Sequence, residues 1–104
     1  MTRELLPSRR AAASFDFLVG GICYTATLGY FHDGRVGEVF VDGPKSGSDA
    51  ETNGSDAAAI LSVALQYGVP PEAFARSMQR DSEGRPLGPI GVVVDLLVAR
   101  GAPE

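Results

Sequence analysis

Residues 14–41 read SFDFLVGGICYTATLGYFHDGRVGEVFV, and this stretch decides the fold. Apolar residues alternate with other residues up to Val19 and again over residues 22–30, which is the period of a β-strand. The Gly20-Gly21 pair between the two runs suits a tight hairpin turn, because glycine adopts positive φ without a steric clash. The stretch therefore predicts a β-hairpin at its start.

The remaining residues predict a third strand and then helices. A turn signal at Asp33-Gly34 precedes a β-branched run over residues 36–41, which completes an antiparallel meander. A helix then ends at Gly68, a short helix opens at Pro70-Pro71, and a last helix ends near Gly101. Three residues are candidate N-caps for the first helix: Ser48, Thr52 and Ser55.

This order of elements predicts an α+β fold, because the helices must fold back over the sheet to bury its apolar face. We expect a three-stranded meander packed on two to three helices as a two-layer sandwich. Residues 1–13 are predicted to form an N-terminal arm that is ordered only by contact with something else, and residues 14–101 a single domain. Phe40 and the first helix's apolar stripe are predicted core positions. That stripe comprises Ala57, Ile60, Leu61, Ala64 and Leu65.

The composition limits the chemistry that the chain can offer. Its 104 residues contain one cysteine and one histidine, with a formal net charge of −4. Cys23 is expected to serve as a small apolar side chain within a strand, and a lone thiol excludes an internal disulfide and a thiolate zinc site. His32 falls in a turn. We predict no catalytic residues, no metal and no cofactor.

Two sets of residues are candidate binding sites. Lys45, Ser46, Gly47 and Ser48 precede a helix, where free backbone N–H groups, an ammonium and hydroxyls can together hold an anion or a nucleotide phosphate. The alternative is an ordinary connection with a capping serine. Arg9, Arg10 and Arg35 are candidate partner contacts.

The charge and the hydropathy bear on possible partners. Net negative charge argues against general nucleic-acid binding, despite local basic groups at Arg3, Arg9 and Arg10 and at Arg76, Arg80 and Arg85. No apolar run is long enough to span a membrane. The first seven residues lack the apolar segment of a secretory signal, so a cytoplasmic location is predicted.

Several short sequence motifs together resemble one family. They are LPSRR at 6–10, YTATLG at 24–29, DGRVGEVFV at 33–41, KSGS at 45–48 and SVALQYGVP at 62–70. In their order and spacing they are similar to the TSCPD domain found at the C-terminal end of adenosylcobalamin-dependent ribonucleotide reductases, and most closely to its small stand-alone form.

The resemblance implies a function only in outline. A complete reductase of this class needs a large barrel, several cysteines and a cobalamin site, whereas this chain offers one cysteine and no barrel. We therefore expect a non-catalytic accessory or interaction domain, linked to nucleotide metabolism, that binds itself or a larger protein. The alternative is a small module that binds an anion or a nucleotide through residues 45–48.

Overall fold

A computed structural model describes residues 2–45 and 47–101. Its sheet has three strands, β1 (Ala12–Val19), β2 (Ile22–Tyr30) and β3 (Val36–Asp42), in the antiparallel order β1-β2-β3. Gly20 and Gly21 join the first two with φ of 58° and 78°, as the tight turn requires. The predicted meander is confirmed, although β1 begins at Ala12, two residues before the predicted domain start.

Three helices follow the sheet: α1 (Asp49–Gln66), α2 (Glu72–Ala75) and α3 (Pro89–Gly101). Of the three candidate caps, Ser48 begins α1, and its hydroxyl accepts a hydrogen bond from the Glu51 N–H. Gly68, with φ of 88°, ends the helix as predicted. None of these helices is long and apolar enough to cross a membrane.

The core lies between one face of the sheet and the helices, which confirms the two-layer α+β prediction. Strands β2 and β3 supply its centre, and α1 and α3 cover it. The buried apolar side chains of this cluster are Tyr24, Ala26, Leu28, Val39, Val41, Ala58, Leu61, Leu65, Val93, Val94 and Leu97.

Three residues lie on the opposite face from the one that their apolarity suggested. Phe40, a predicted core position, is 52% exposed, because Val39 and Val41 on either side of it point into the core. Cys23 lies within β2 as predicted, but its thiol is exposed on the outer face for the same reason. Ile60, in the predicted stripe of α1, is 69% exposed, because the buried face of the helix includes Leu61 and Leu65 of that stripe but is centred away from Ile60.

That buried face of α1 carries two polar side chains, which bind the outer edge of β3. The Ser62 hydroxyl accepts a hydrogen bond from the Val39 N–H at 2.8 Å and lies 3.0 Å from the Val39 carbonyl and 2.8 Å from that of Ala58. The Gln66 side-chain amide donates to the Gly37 carbonyl at 2.8 Å. Helix α1 therefore satisfies backbone groups that an edge strand leaves unpaired.

Gln66 also fixes the N-terminal arm against the domain. Its backbone carbonyl accepts a hydrogen bond from the Glu4 N–H at 2.7 Å, and its side-chain oxygen accepts one from Arg3 Nε at 2.6 Å. The Leu6 side chain packs over Gly37, where a Cβ atom would lie 2.8 Å from it and 2.5 Å from the Phe31 ring. The arm thus contacts the same side of the sheet as α1.

Candidate functional site: the arginine cleft

A cleft with a volume of about 470 Å³ lies between the β2–β3 turn and the connection from α1 to α2. Parts of two of the sequence motifs, residues 33–36 and 68–70, line it from opposite sides. Apolar groups lie between four charged residues, Asp33, Arg35, Glu72 and Arg100. We call this the arginine cleft. Its lining apolar side chains are Val36, Leu65, Val69, Pro70, Pro71 and Leu97.

Arg35 is held by carboxylates of its own chain. Its guanidinium donates to Asp33 at 2.7 Å and to both Glu4 oxygens at 3.0 Å, and it lies 4.6 Å from the centre of the Phe31 ring. The Arg35 N–H and side chain hold the pKa of Asp33 below its ordinary value, and Asp33 and Glu4 raise the pKa of Arg35. Two carboxylates already neutralise this arginine.

Arg100 differs from Arg35. It lies in the last turn of α3, with its guanidinium 5.2 Å from the centre of the Tyr30 ring. Within the described residues no carboxylate forms a salt bridge with it. An aromatic ring orients a guanidinium without neutralising its charge. Of the two arginines of the cleft, Arg100 is therefore the one that no carboxylate of the described residues pairs with.

A second cleft, of about 340 Å³, lies on the far side of the core and is largely apolar. Tyr24, Gly54, Met78 and Ile90 are among its lining residues, and it contains no ionised side chain. This surface can bury an apolar group but offers no acid or base.

The predicted anion-binding residues lie at the other end of α1, about 27 Å from the cleft end for a helix of 18 residues. Lys45 is exposed and Gly47 has φ of 79°, while Ser46 lies outside the described residues. The Ser48 hydroxyl is engaged as the cap of α1, and Asp49 and Glu51 lie in the first helical turn. Anion binding by this loop stays a prediction.

The predicted partner-contact arginines are separated from one another. Arg9 is exposed, whereas Arg10 forms a 3.2 Å salt bridge with Glu38 on the outer face of the sheet. Only Arg35 reaches the arginine cleft. Their role in partner binding stays a prediction.

The second basic region is largely paired internally. Arg80 makes two 2.8 Å hydrogen bonds with Asp95 and lowers the pKa of that carboxyl, and Arg85 pairs with Asp81 at 3.0 Å. These arginines therefore offer little free positive charge to a nucleic acid.

Asp33 and Glu72 are the carboxylates among the lining residues of the arginine cleft, and neither Cys23 nor His32 lines it. Cys23 is exposed on the outer face of the sheet and His32 is exposed in the turn before β3. Within residues 2–45 and 47–101, no three His, Cys, Asp or Glu side chains are grouped to hold a metal ion.

Sequence reasoning missed Arg100, Ser62 and Gln66. Ser62 and Gln66 interrupt the apolar stripe of α1 at a spacing of four, and this was the available signal that both are buried together. Arg100 gave no local signal, because its place in the cleft depends on how α3 packs.

Comparison with known proteins identifies the family. The model of the TSCPD domain matches residues 3–99, which is most of the chain and includes both motifs that line the cleft. The chain belongs to the TSCPD domain family. The match begins within the arm, so the contacts that fix the arm to Gln66 fall inside the TSCPD unit.

The relatives of this TSCPD domain are much larger proteins. It is 39% identical over 75 residues to a vitamin B12-dependent ribonucleotide reductase of Agrobacterium fabrum, covering 72% of the chain and 6% of that protein. It is 33% identical over 88 residues to one of Bradyrhizobium diazoefficiens and over 86 to one of Rhodopirellula baltica, covering 85% and 83% of the chain. The chain spans 7% and 8% of these two relatives. No solved structure matches the chain.

Proposed function

We propose that this TSCPD domain is a non-catalytic interaction domain that binds a larger protein through the arginine cleft. The supporting observation is the cleft itself, in which an apolar floor leads to an arginine that no carboxylate of the described residues neutralises. The relatives are named as ribonucleotide reductases, and the chain corresponds to 6–8% of their length. A reductase of this class is therefore the partner that we propose first, with the cytoplasm as the compartment.

The charges of the cleft define the partner segment. Arg35 is paired with Glu4 and Asp33, whereas Arg100 and Glu72 form no salt bridge within the described residues. A carboxylate of the partner should therefore bind at Arg100 and lie away from Glu72. Apolar side chains next to that carboxylate would bury against Leu65, Val69 and Leu97. The expected ligand is a short segment with an acidic residue beside apolar ones.

The test uses a reductase that lacks its own copy of the domain. The Agrobacterium fabrum enzyme, shortened by the segment that matches this chain, would be titrated with the purified protein in a calorimeter. We expect binding by the native chain, at least a tenfold weaker affinity for Arg100→Glu, and unchanged affinity for Arg76→Glu. Arg76 is exposed and does not line the cleft, so this control makes the same charge change elsewhere.

Two results would contradict the proposal. One is the absence of binding to the shortened reductase at concentrations up to the millimolar range. The other is an equal loss of affinity in both variants, because that would indicate long-range charge attraction rather than recognition in the cleft.

A second proposal is anion or nucleotide binding at residues 45–48. It is favoured by the exposed Lys45 beside Gly47, whose positive φ turns the backbone just before an 18-residue helix. A nucleotide present at a hundred times its dissociation constant would stabilise the fold by about 2.7 kcal/mol. Thermal melting with millimolar nucleotide should show this shift in the native chain and not in Lys45→Ala. A native chain whose melting temperature does not move would contradict it.

A further inference from the structure

The two edges of the sheet differ in whether their outward-pointing backbone groups have a hydrogen-bond partner. In an antiparallel pair, alternate residues bond to the neighbouring strand and the others point their N–H and C=O groups outward. The Tyr30 N–H bonds to the Ala11 carbonyl, so in β1 the backbone N–H and C=O groups of the odd-numbered residues point towards β2. The outward groups of β1 therefore belong to Ala12, Ser14, Asp16 and Leu18.

Nothing in the described part of the chain pairs with those groups. The strand order places β1 at the edge, and no helix side chain bonds to it as Ser62 and Gln66 bond to β3. The strand has eight residues and contains no proline or lysine, and Asp16 is its one charged side chain against edge pairing. Leu18, near its end, is 73% exposed.

We propose that β1 pairs antiparallel with β1 of a second copy of this chain, which joins two sheets into one of six strands. The two-fold axis would pass at Phe15, so that Ser14 of one copy lies opposite Asp16 of the other, and Ala12 opposite Leu18. The four outward residues of each strand then meet an outward residue of the other. The partner is a second copy because the strand is complementary to itself in this register.

Neighbouring registers are less favourable. An axis at Asp16 sets the two carboxylates directly opposite each other, and like charges in that position destabilise a pair of strands. An axis at Ser14 pairs Leu18 with Arg10, which lies before the strand begins. The Phe15 axis uses residues 12–18 in full and brings together the two Phe15 side chains, each half-buried and 5.8 Å from Phe17.

This inference is independent of the proposed function, because β1 does not line the arginine cleft. Loss of reductase binding in Arg100→Glu with self-association retained, or the reverse, would separate the two proposals.

The register predicts opposite effects of two charges at one position. Ser14→Asp sets two pairs of like charges across the two-fold axis, and Ser14→Lys sets two ion pairs with Asp16. Both variants replace the same exposed serine hydroxyl, which bonds to Thr27, with a charged group, so each controls for the other. Sedimentation equilibrium should give a dissociation constant about tenfold higher for Ser14→Asp and several-fold lower for Ser14→Lys.

A third variant tests the edge itself. Ser14→Pro removes an outward N–H that the chain does not use internally, and it should abolish self-association while the circular dichroism spectrum stays native. A native protein that is monomeric at every concentration would overturn the proposal. So would equal association of Ser14→Asp and Ser14→Lys, or unchanged association of a folded Ser14→Pro.

Discussion

The two edges of the sheet show how one small domain treats the same problem in two ways. Along β3, Ser62 and Gln66 bind outward backbone groups and the N-terminal arm covers the end of the strand. Along β1, the outward groups have no such partners in the described residues. An edge covered by its own chain contributes to the stability of the monomer, whereas an edge left open is available for association. Substitutions on the two sides should therefore differ in what they change.

The largest effect is expected at Gln66, which holds both β3 and the arm. Gln66→Ala leaves the buried Gly37 carbonyl and Arg3 Nε without their partner and opens a cavity, so the free energy of unfolding should fall by about 3 kcal/mol. Urea unfolding would measure it. Gln79→Ala is the control, because that side chain is exposed and a change below about 0.5 kcal/mol is expected. Equal urea midpoints for Gln66→Ala and Gln79→Ala would show that the Gln66 side chain does not connect the arm to the β3 edge.

A matched pair of serines compares the two edges directly. Ser62→Ala leaves the Val39 N–H and C=O buried without partners and should cost about 2 kcal/mol of stability. Ser14→Ala loses only an exposed 2.7 Å hydrogen bond to Thr27 and should cost less than about 0.5 kcal/mol. Thermal and urea unfolding at low protein concentration would measure both monomers. A larger loss at Ser14 would reverse the comparison.

A third prediction concerns the packing of the arm on β3. A Cβ atom on Gly37 would lie 2.5 Å from the Phe31 ring and 2.8 Å from Leu6, so Gly37→Ala must displace the arm or the ring. We expect a loss of about 1–2 kcal/mol, with faster amide exchange at Glu4. Gly88→Ala is the control, since a Cβ there meets no atom within 4 Å. Unchanged exchange at Glu4 would show that the arm is not held by this contact.

The sequence predicted the order of elements because its signals there are local. The hairpin turn at Gly20-Gly21 and the helix end at Gly68 each need a positive φ, which other residues avoid. Both could therefore be assigned from a few residues. The N-cap needed the structure, because Ser48, Thr52 and Ser55 are chemically alike and only packing selects among them.

The face of each element was harder to predict than its type. Phe40 was placed inside because it is large and apolar, yet the two-residue period fixes it outside once Val39 and Val41 are buried. Ile60 was misassigned for the corresponding reason on a helix. Apolarity indicates that a residue can be buried, whereas the contacts across the sheet decide which residues are.

The candidate site likewise depends on contacts between elements that are distant in the sequence. Arg35 was predicted as a contact residue and lines the cleft, but Arg100 comes from a helix more than sixty residues further along the chain. The apolar floor is assembled from β3, α1 and α3 together. No single stretch of sequence contains enough of the arginine cleft to reveal it.

The smallest predicted effect is a pH dependence that separates the β3 side from a similar turn elsewhere. Asp33 binds Arg35, which also holds the arm through Glu4, whereas Asp81 binds Arg85 within its own turn. Backbone N–H groups hold the pKa of both carboxyls below the ordinary value of 3.8. Their contribution to stability is therefore complete above pH 3.8 and is lost as the pH falls through the lower, folded values.

At neutral pH we expect Asp33→Asn and Asp81→Asn both to be slightly less stable than the native chain. Only Asp33→Asn should also speed amide exchange at Glu4, because only that turn is connected to the arm. Below pH 3.8 the native chain should approach the stability of each variant, since its own carboxyls are then becoming protonated. Equal acceleration of Glu4 exchange in both variants would mean that the arm responds to overall stability, and that the ion pair at Arg35 does not hold it on the β3 side.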